Sequence, residues 1–95
     1  MKQNAEFFGD QELVLIYIAK KLKEALKLES QLTSAGLDYL VEADSYRGGL
    51  IFVSQRIGAF FYVQQAVEDA ARQLLVANGY HPFEKLVQPP DSQGP

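Results

Sequence analysis

Seven apolar residues, LVLIYIA, run from Leu13 to Ala19 between Glu12 and Lys20. The run is far shorter than the roughly 20 residues a membrane-spanning helix needs. Its length and its β-branched and aromatic content favour a strand buried on both faces, and hence a central one. A chain of 95 residues makes one domain at most and buries only about 60% of its unfolded surface. Whatever packs around this strand must therefore form a single small core.

The stretch after the run has the spacing of a helix. Leu22, Ala25, Leu28, Leu32 and Ala35 recur at intervals of three and four, which predicts a helix over Lys20–Ala35 with one apolar stripe. Gly36 follows as a C-cap, because a helix commonly ends on a residue at positive φ. LDYLVEA, residues 37–43, alternates and predicts a second strand. DSYRGG then supplies turn chemistry. Residues 50–63 read either as a tight hairpin or as one long strand bulged at Gly58. A second helix follows, with Val67, Ala70, Ala71, Leu74, Leu75 and Ala77 on its stripe and Asn78-Gly79 at its end. YHPFEKLV then either adds a short edge strand or packs back, and Pro82 argues against a central strand there. Residues 1–11 form an N-terminal arm, flexible or loosely docked, in which Phe7 and Phe8 favour docking. Residues 88–95 are a Pro-rich tail of disordered character. The folded domain is expected over residues 12–87.

The element order is that of the split β-α-β motif. The expected fold is α+β, a ferredoxin-like or GlnB-like β-α-β-β-α sandwich with two helices on one face of an antiparallel sheet.

Several kinds of chemistry have no material to work with. The chain lacks cysteine, so it has no disulfide, thiolate nucleophile or sulfur-ligated zinc. His81 is the sole histidine and has no helical His or Cys companion with which to ligate a metal. Asp38, Glu42 and Asp44 read as solvated carboxylates, and Ser30, Ser34, Ser45 and Ser54 have no base partner. The reading is of a non-enzymatic protein with no cofactor and no metal. The opening MKQNAEFFGDQ has no apolar h-region, so the expected location is the cytoplasm, away from membranes. A net charge of −3 gives no global attraction to phosphate backbones.

Local charge differs from the global balance. Lys20, Lys21, Lys23 and Lys27 cluster at the start of the first helix. As a solvated face they need no further role. As a site they suit an acidic or phosphate-bearing partner.

YRGGLIFVSQRIGAFFYV, residues 46–63, holds five of the eleven aromatics and two of the three arginines. Readers of single-stranded RNA of the RRM type carry aromatics on the first and third strands of a similar sheet. IYI at 16–18 and RIGAFFYV at 56–63 can be laid on those motifs. Arg56, Ala59 and Phe60 match, whereas Ile57, Gly58 and Val63 do not. A single-stranded nucleic-acid module is therefore the alternative function, and nucleic acid is the less favoured partner.

A second resemblance spans about Glu12 to Gly79. The strand ELVLIYIA, the helix end LTSAGL before DYLVEA, and AFFYVQQAVEDAARQLL resemble small bacterial signal-transducing domains of GlnB (PII)-like fold. That family keeps a Tyr-Arg-Gly element between its second and third strands, where Tyr46, Arg47 and Gly48 stand here. The resemblance implies an effector loop at Tyr46, Arg47, Gly48 and Gly49, and a habit of self-association. Arg56 adds an anion contact, since its planar fork suits carboxylate or phosphate. The C-terminal residues that clasp nucleotide in the family have no match, so no cofactor is implied.

Strand alternation puts Phe60 and Tyr62 on one sheet face and Phe61 on the other. Helices cover one face, and contiguous exposed apolar patches are rare on monomers. Phe52, Phe60, Phe61 and Tyr62 are thus the candidate interface of a homo-oligomer, with a dimer favoured. The functional expectation is a small regulatory or protein-interaction domain.

Overall fold

A computed structural model of the chain describes residues 1–48 and 54–84. Its elements are helix α1 (Ala5–Phe8), strand β1 (Leu13–Ala19), helix α2 (Leu22–Ser34), strand β2 (Leu40–Gly48), strand β3 (Ser54–Gln64), a 3-10 turn (Gln65–Val67) and helix α3 (Glu68–Ala77). The architecture is α+β, with a three-stranded sheet in the order β1-β3-β2, both pairings antiparallel. The central strand is therefore β3. The LVLIYIA run is an edge strand that resembles a central one in composition because its two faces are both largely covered.

The helices form where their stripes allow. On α2 the buried residues are Ala25, Leu28 and Leu32, and on α3 they are Ala71 and Leu75. All five join Ile16, Ala19, Tyr39, Phe61 and Val63 in one cluster, so both helices pack on the same sheet face. Glu68 and Asp69 open α3, where negative charge complements the helix dipole. Both helices end alike. Gly36 lies at φ 78° and Gly79 at φ 85°. Leu37 donates back to Leu32 O, and Tyr80 donates back to Leu75 O, the pairing of a Schellman cap.

Tyr39 is the polar element of this core. Its ring stacks on Phe61 with centroids 6.1 Å apart. Its hydroxyl donates to Glu29 O and shares a 2.9 Å hydrogen bond with Thr33 Oγ1. The buried oxygen is thereby satisfied, as low-dielectric surroundings demand.

Three more residues, Phe8, Leu40 and Phe60, are buried yet stand apart from the helix-side cluster. By alternation Leu40 and Phe60 point away from the helices. Residues 1–3 lie beside β2, where Lys2 bridges Tyr39 and Gln3 donates to Tyr39 O. Leu13 begins β1 on the far side of β3. The segment between them carries α1, in which Phe8 is buried outside the helix-side cluster. Asn4 caps the short α1 by accepting from the Phe7 N–H. The N-terminal arm thus docks beside β2 through residues 1–3.

The β2–β3 hairpin is longer than the sequence suggests. Asp44↔Gly58 through Gly48↔Ser54 add five regular pairs beyond Ala43↔Ala59, where β1 has already ended at Ala19. No register shift occurs at Gly58. The irregularity lies instead in β1, between Leu15 and Tyr17. The expected strand at 50–53 and the tail at 88–95 lie outside the described residues. Among those residues no helix is long and apolar enough to cross a membrane.

Candidate functional site

The described residues singled out as an effector loop lie instead within the paired β2–β3 ribbon. Tyr46, Arg47 and Gly48 belong to β2 rather than to a loop, with Arg56, Gln55 and Ser54 as their register partners. The reason is cooperative pairing: once Ala43 and Ala59 are opposed, continuing the ladder satisfies backbone groups that a loop would leave to water. Arg56 is exposed. Gly49 and Phe52 lie outside the described residues.

The proposed interface also changes. Phe61 is fully buried beneath the helices, so it cannot serve as a contact surface. Phe60 is only 8% exposed, and Tyr62 is half-buried. Burial raises the Tyr62 pKa above its usual value, with the nearby Glu42 and Asp44 carboxylates adding to the effect. Those carboxylates share the face with Phe60 and Tyr62. A nucleic-acid strand laid there would meet like charge rather than a free stacking platform.

A different site assembles at the other end of β1. The strand delivers Tyr17 and Ile18, the chain leaves through Lys20 and Lys21, and the first turns of α2 present Lys23, Glu24 and Lys27. Opposite them, α3 ends at Asn78. Gly79 turns the chain at positive φ, and Tyr80 returns over Tyr17, their rings edge to face with centroids 5.2 Å apart. His81 and Phe83 follow. Pro82 has no N–H to give a strand ladder, and among the described residues the one backbone bond to β1 is from Phe83 N to Ile16 O, 2.6 Å. This segment packs back along the edge of β1 without forming a strand. Between it and α2 lies an open cleft of about 1050 Å³, lined by the residues just named.

Its charge is opposite to that of the rest of the chain. Four lysines against one glutamate leave the cleft at +3, while the whole chain is −3, so the remainder carries −6. Among the described residues Lys21, Lys23 and Lys27 have no ion-pair partner. The amino end of α2 opens beside them without a side-chain cap from Lys21, adding partial positive charge. Glu24 is the local counter-charge. It accepts from the Lys20 N–H at 3.4 Å and from the Tyr17 hydroxyl. Burial, with this hydrogen bond and the carboxylate's charge, pushes Tyr17 up to about 12. Burial and Glu24 also raise Tyr80.

The lysine cluster is legible in the sequence. Tyr17, Tyr80 and Phe83 are not, because the Gly79 turn is what brings the last two back over β1. Among the described residues no group of three or more His, Asp or Glu is placed to hold a metal. The arrangement can attract an anion, give it ammonium donors and rest an apolar part against aromatic rings. No family model, no curated protein and no solved structure matches the chain, so the chemistry of the cleft is the ground on which its function is read.

Proposed function

We propose that this protein is a small non-enzymatic binding domain that takes a phosphate- or carboxylate-bearing ligand in the cleft between α2 and the segment after α3. One observation carries the reading. Four of the chain's nine basic residues converge on an aromatic-walled cleft while the rest of the molecule is acidic. Lysine suits this role as a mobile point charge that follows an anion without demanding one geometry. A cleft with low-dielectric walls focuses the field of such charges.

The β1-β3-β2 order, with α2 crossing between two strands that flank a third, supports a ferredoxin-like reading of the fold. Kinship with GlnB-like signalling domains is a further proposal, and the Tyr46-Arg47-Gly48 segment supports it less as a strand than it would as a loop. Sheet-mediated self-association also has less support than the sequence lends it, because Leu40 and Phe60 are already buried within the single chain.

The test is a titration with inorganic tripolyphosphate and with citrate, followed by amide NMR shifts. Binding should weaken as salt rises, shift the amides of residues 20–27 and 79–83, and vanish when Lys20, Lys21, Lys23 and Lys27 are all changed to Gln. Binding of neither anion, or full binding by the quadruple variant, would remove the proposal.

A further inference from the structure

We infer that Arg72 is the positioning residue of the cleft, holding the Tyr80–Phe83 wall against β1 without itself facing the ligand. This inference rests on the binding role just proposed for the cleft.

Arg72 projects from α3 and is not among the residues that line the cleft. Its Nε donates to Glu68 Oε2 at 2.8 Å, one turn earlier on the same helix. Its Nη1 donates to the Phe83 carbonyl at 2.8 Å. The N–H of Phe83 is already committed to Ile16 O. Phe83 is therefore fastened by its backbone from both sides, to β1 through its N–H and to α3 through its C=O. Phe83 is 37% exposed, so apolar burial does little to hold it. Pro82 contributes no donor and His81 is exposed. The wall is thus held at Tyr80, by its ring contact with Tyr17 and its N–H bond to Leu75 O, and at Phe83.

A guanidinium is planar and rigid, with Nε and Nη1 at fixed neighbouring positions. Glu68 orients it through Nε, and Nη1 then points at the carbonyl. A lysine keeps the charge but cannot hold both partners in that fork. Loss of the bridge leaves Phe83 attached on the β1 side alone and loosens the aromatic half of the cleft. The role is geometric, so it separates from charge.

The experiment compares the parent chain with Arg72→Lys and Arg72→Ala in three measurements: amide exchange at Phe83, the titration of Tyr17, and affinity for inorganic tripolyphosphate with its salt dependence. Arg72→Lys preserves net charge, and it also guards against an Arg72→Ala chain that fails to fold. In both variants Phe83 exchange should accelerate about tenfold, the size expected for losing a charge-assisted hydrogen bond. Tyr17 should titrate lower, since its cover loosens. Affinity should fall about tenfold in Arg72→Lys with the salt dependence unchanged, because the lysines that meet the anion are intact. Parental exchange at Phe83 in Arg72→Lys overturns the inference, and so does faster exchange with parental affinity. If the parent itself binds no tripolyphosphate, the cleft's proposed function fails. The wall is then judged by the two ligand-free readouts, and unchanged exchange or an unchanged Tyr17 titration overturns Arg72's part.

Discussion

Tyr17 of β1 and Tyr80, just past the Gly79 turn, meet edge to face at 75° with ring centroids 5.2 Å apart. The pair joins the edge of the sheet to the chain that leaves α3, and both residues line the cleft. Edge-to-face contacts of this kind add about 0.5–1.5 kcal/mol beyond area burial. They also fix which face of Tyr17 is dry. Its hydroxyl, next to the Glu24 carboxylate, therefore resists ionisation.

That resistance makes stability depend on alkaline pH. Tyr17 is raised from 10.0 to about 12 in the folded chain. The unfolded chain loses this proton first as pH rises, so the contribution is fully present below pH 10 and is lost as pH climbs through about 12. Denaturant midpoints should fall across that window, and Tyr17→Phe should flatten the fall. An equally steep decline in Tyr17→Phe would assign the effect to other groups.

Glu24 is the single carboxylate lining a cleft that holds four lysines. Glu24→Gln keeps a hydrogen-bond acceptor for the Tyr17 hydroxyl and removes the charge that opposes an anionic ligand. At the high effective dielectric of an open cleft one charge is worth about 1 kcal/mol, so tripolyphosphate should bind roughly fivefold tighter. Tyr17 should titrate somewhat lower in the same variant, because the carboxylate's charge is gone while burial and the hydrogen bond remain. Calorimetry and an absorbance titration read the two effects. Weaker binding in Glu24→Gln would mean that the carboxylate orients the lysines more than it repels the ligand.

The core offers a comparison of packing with polar satisfaction. Phe61→Ala empties a fully buried site between sheet and helices and should cost about 3–5 kcal/mol. Tyr39→Phe keeps the stack on Phe61 and removes only the hydroxyl shared by Glu29 O and Thr33, at about 1–2 kcal/mol. A domain of this size has on the order of 5–15 kcal/mol to lose, so the first change should bring it near unfolding at room temperature and the second should not. Urea titrations of both variants check the ordering.

The helix stripes, the glycine caps and the short strands are legible from spacing because each is enforced locally. Gly36 and Gly79 hold the positive φ that a helix end favours, and Leu28, Leu32, Ala71 and Leu75 are buried as their period requires. Position in the sheet is less legible. LVLIYIA has the composition of a central strand, yet β3 holds that place, since burial from above and below writes the same residues as pairing on both edges. Tyr46-Arg47-Gly48 reads as loop because glycine and serine neighbours favour turns, and ladder continuation overrides that preference. For the cleft, the four lysines are contiguous and visible. Its aromatic wall depends on a turn and on the Arg72–Phe83 bond, which no periodicity records.

The N-terminal arm bears on self-association. Phe8 is 2% exposed, and Leu40 and Phe60 are buried on the face the helices leave. The sequence argues for a dimer because that aromatic face needs cover, and here part of the cover belongs to the chain itself. The protein should therefore run as a monomer in light scattering. Phe8→Ala should cost about 3 kcal/mol as a buried aromatic truncation and loosen the arm, exposing apolar surface of the kind that drives association. The variant should then show a concentration-dependent rise in mass that the parent lacks. A parent chain that is already dimeric, with a mass unmoved by Phe8→Ala, would place the subunit contact away from this face and leave the arm a purely internal fastening. Ile57, 75% exposed on the projecting β2–β3 ribbon, would be the next residue to change to a charged one.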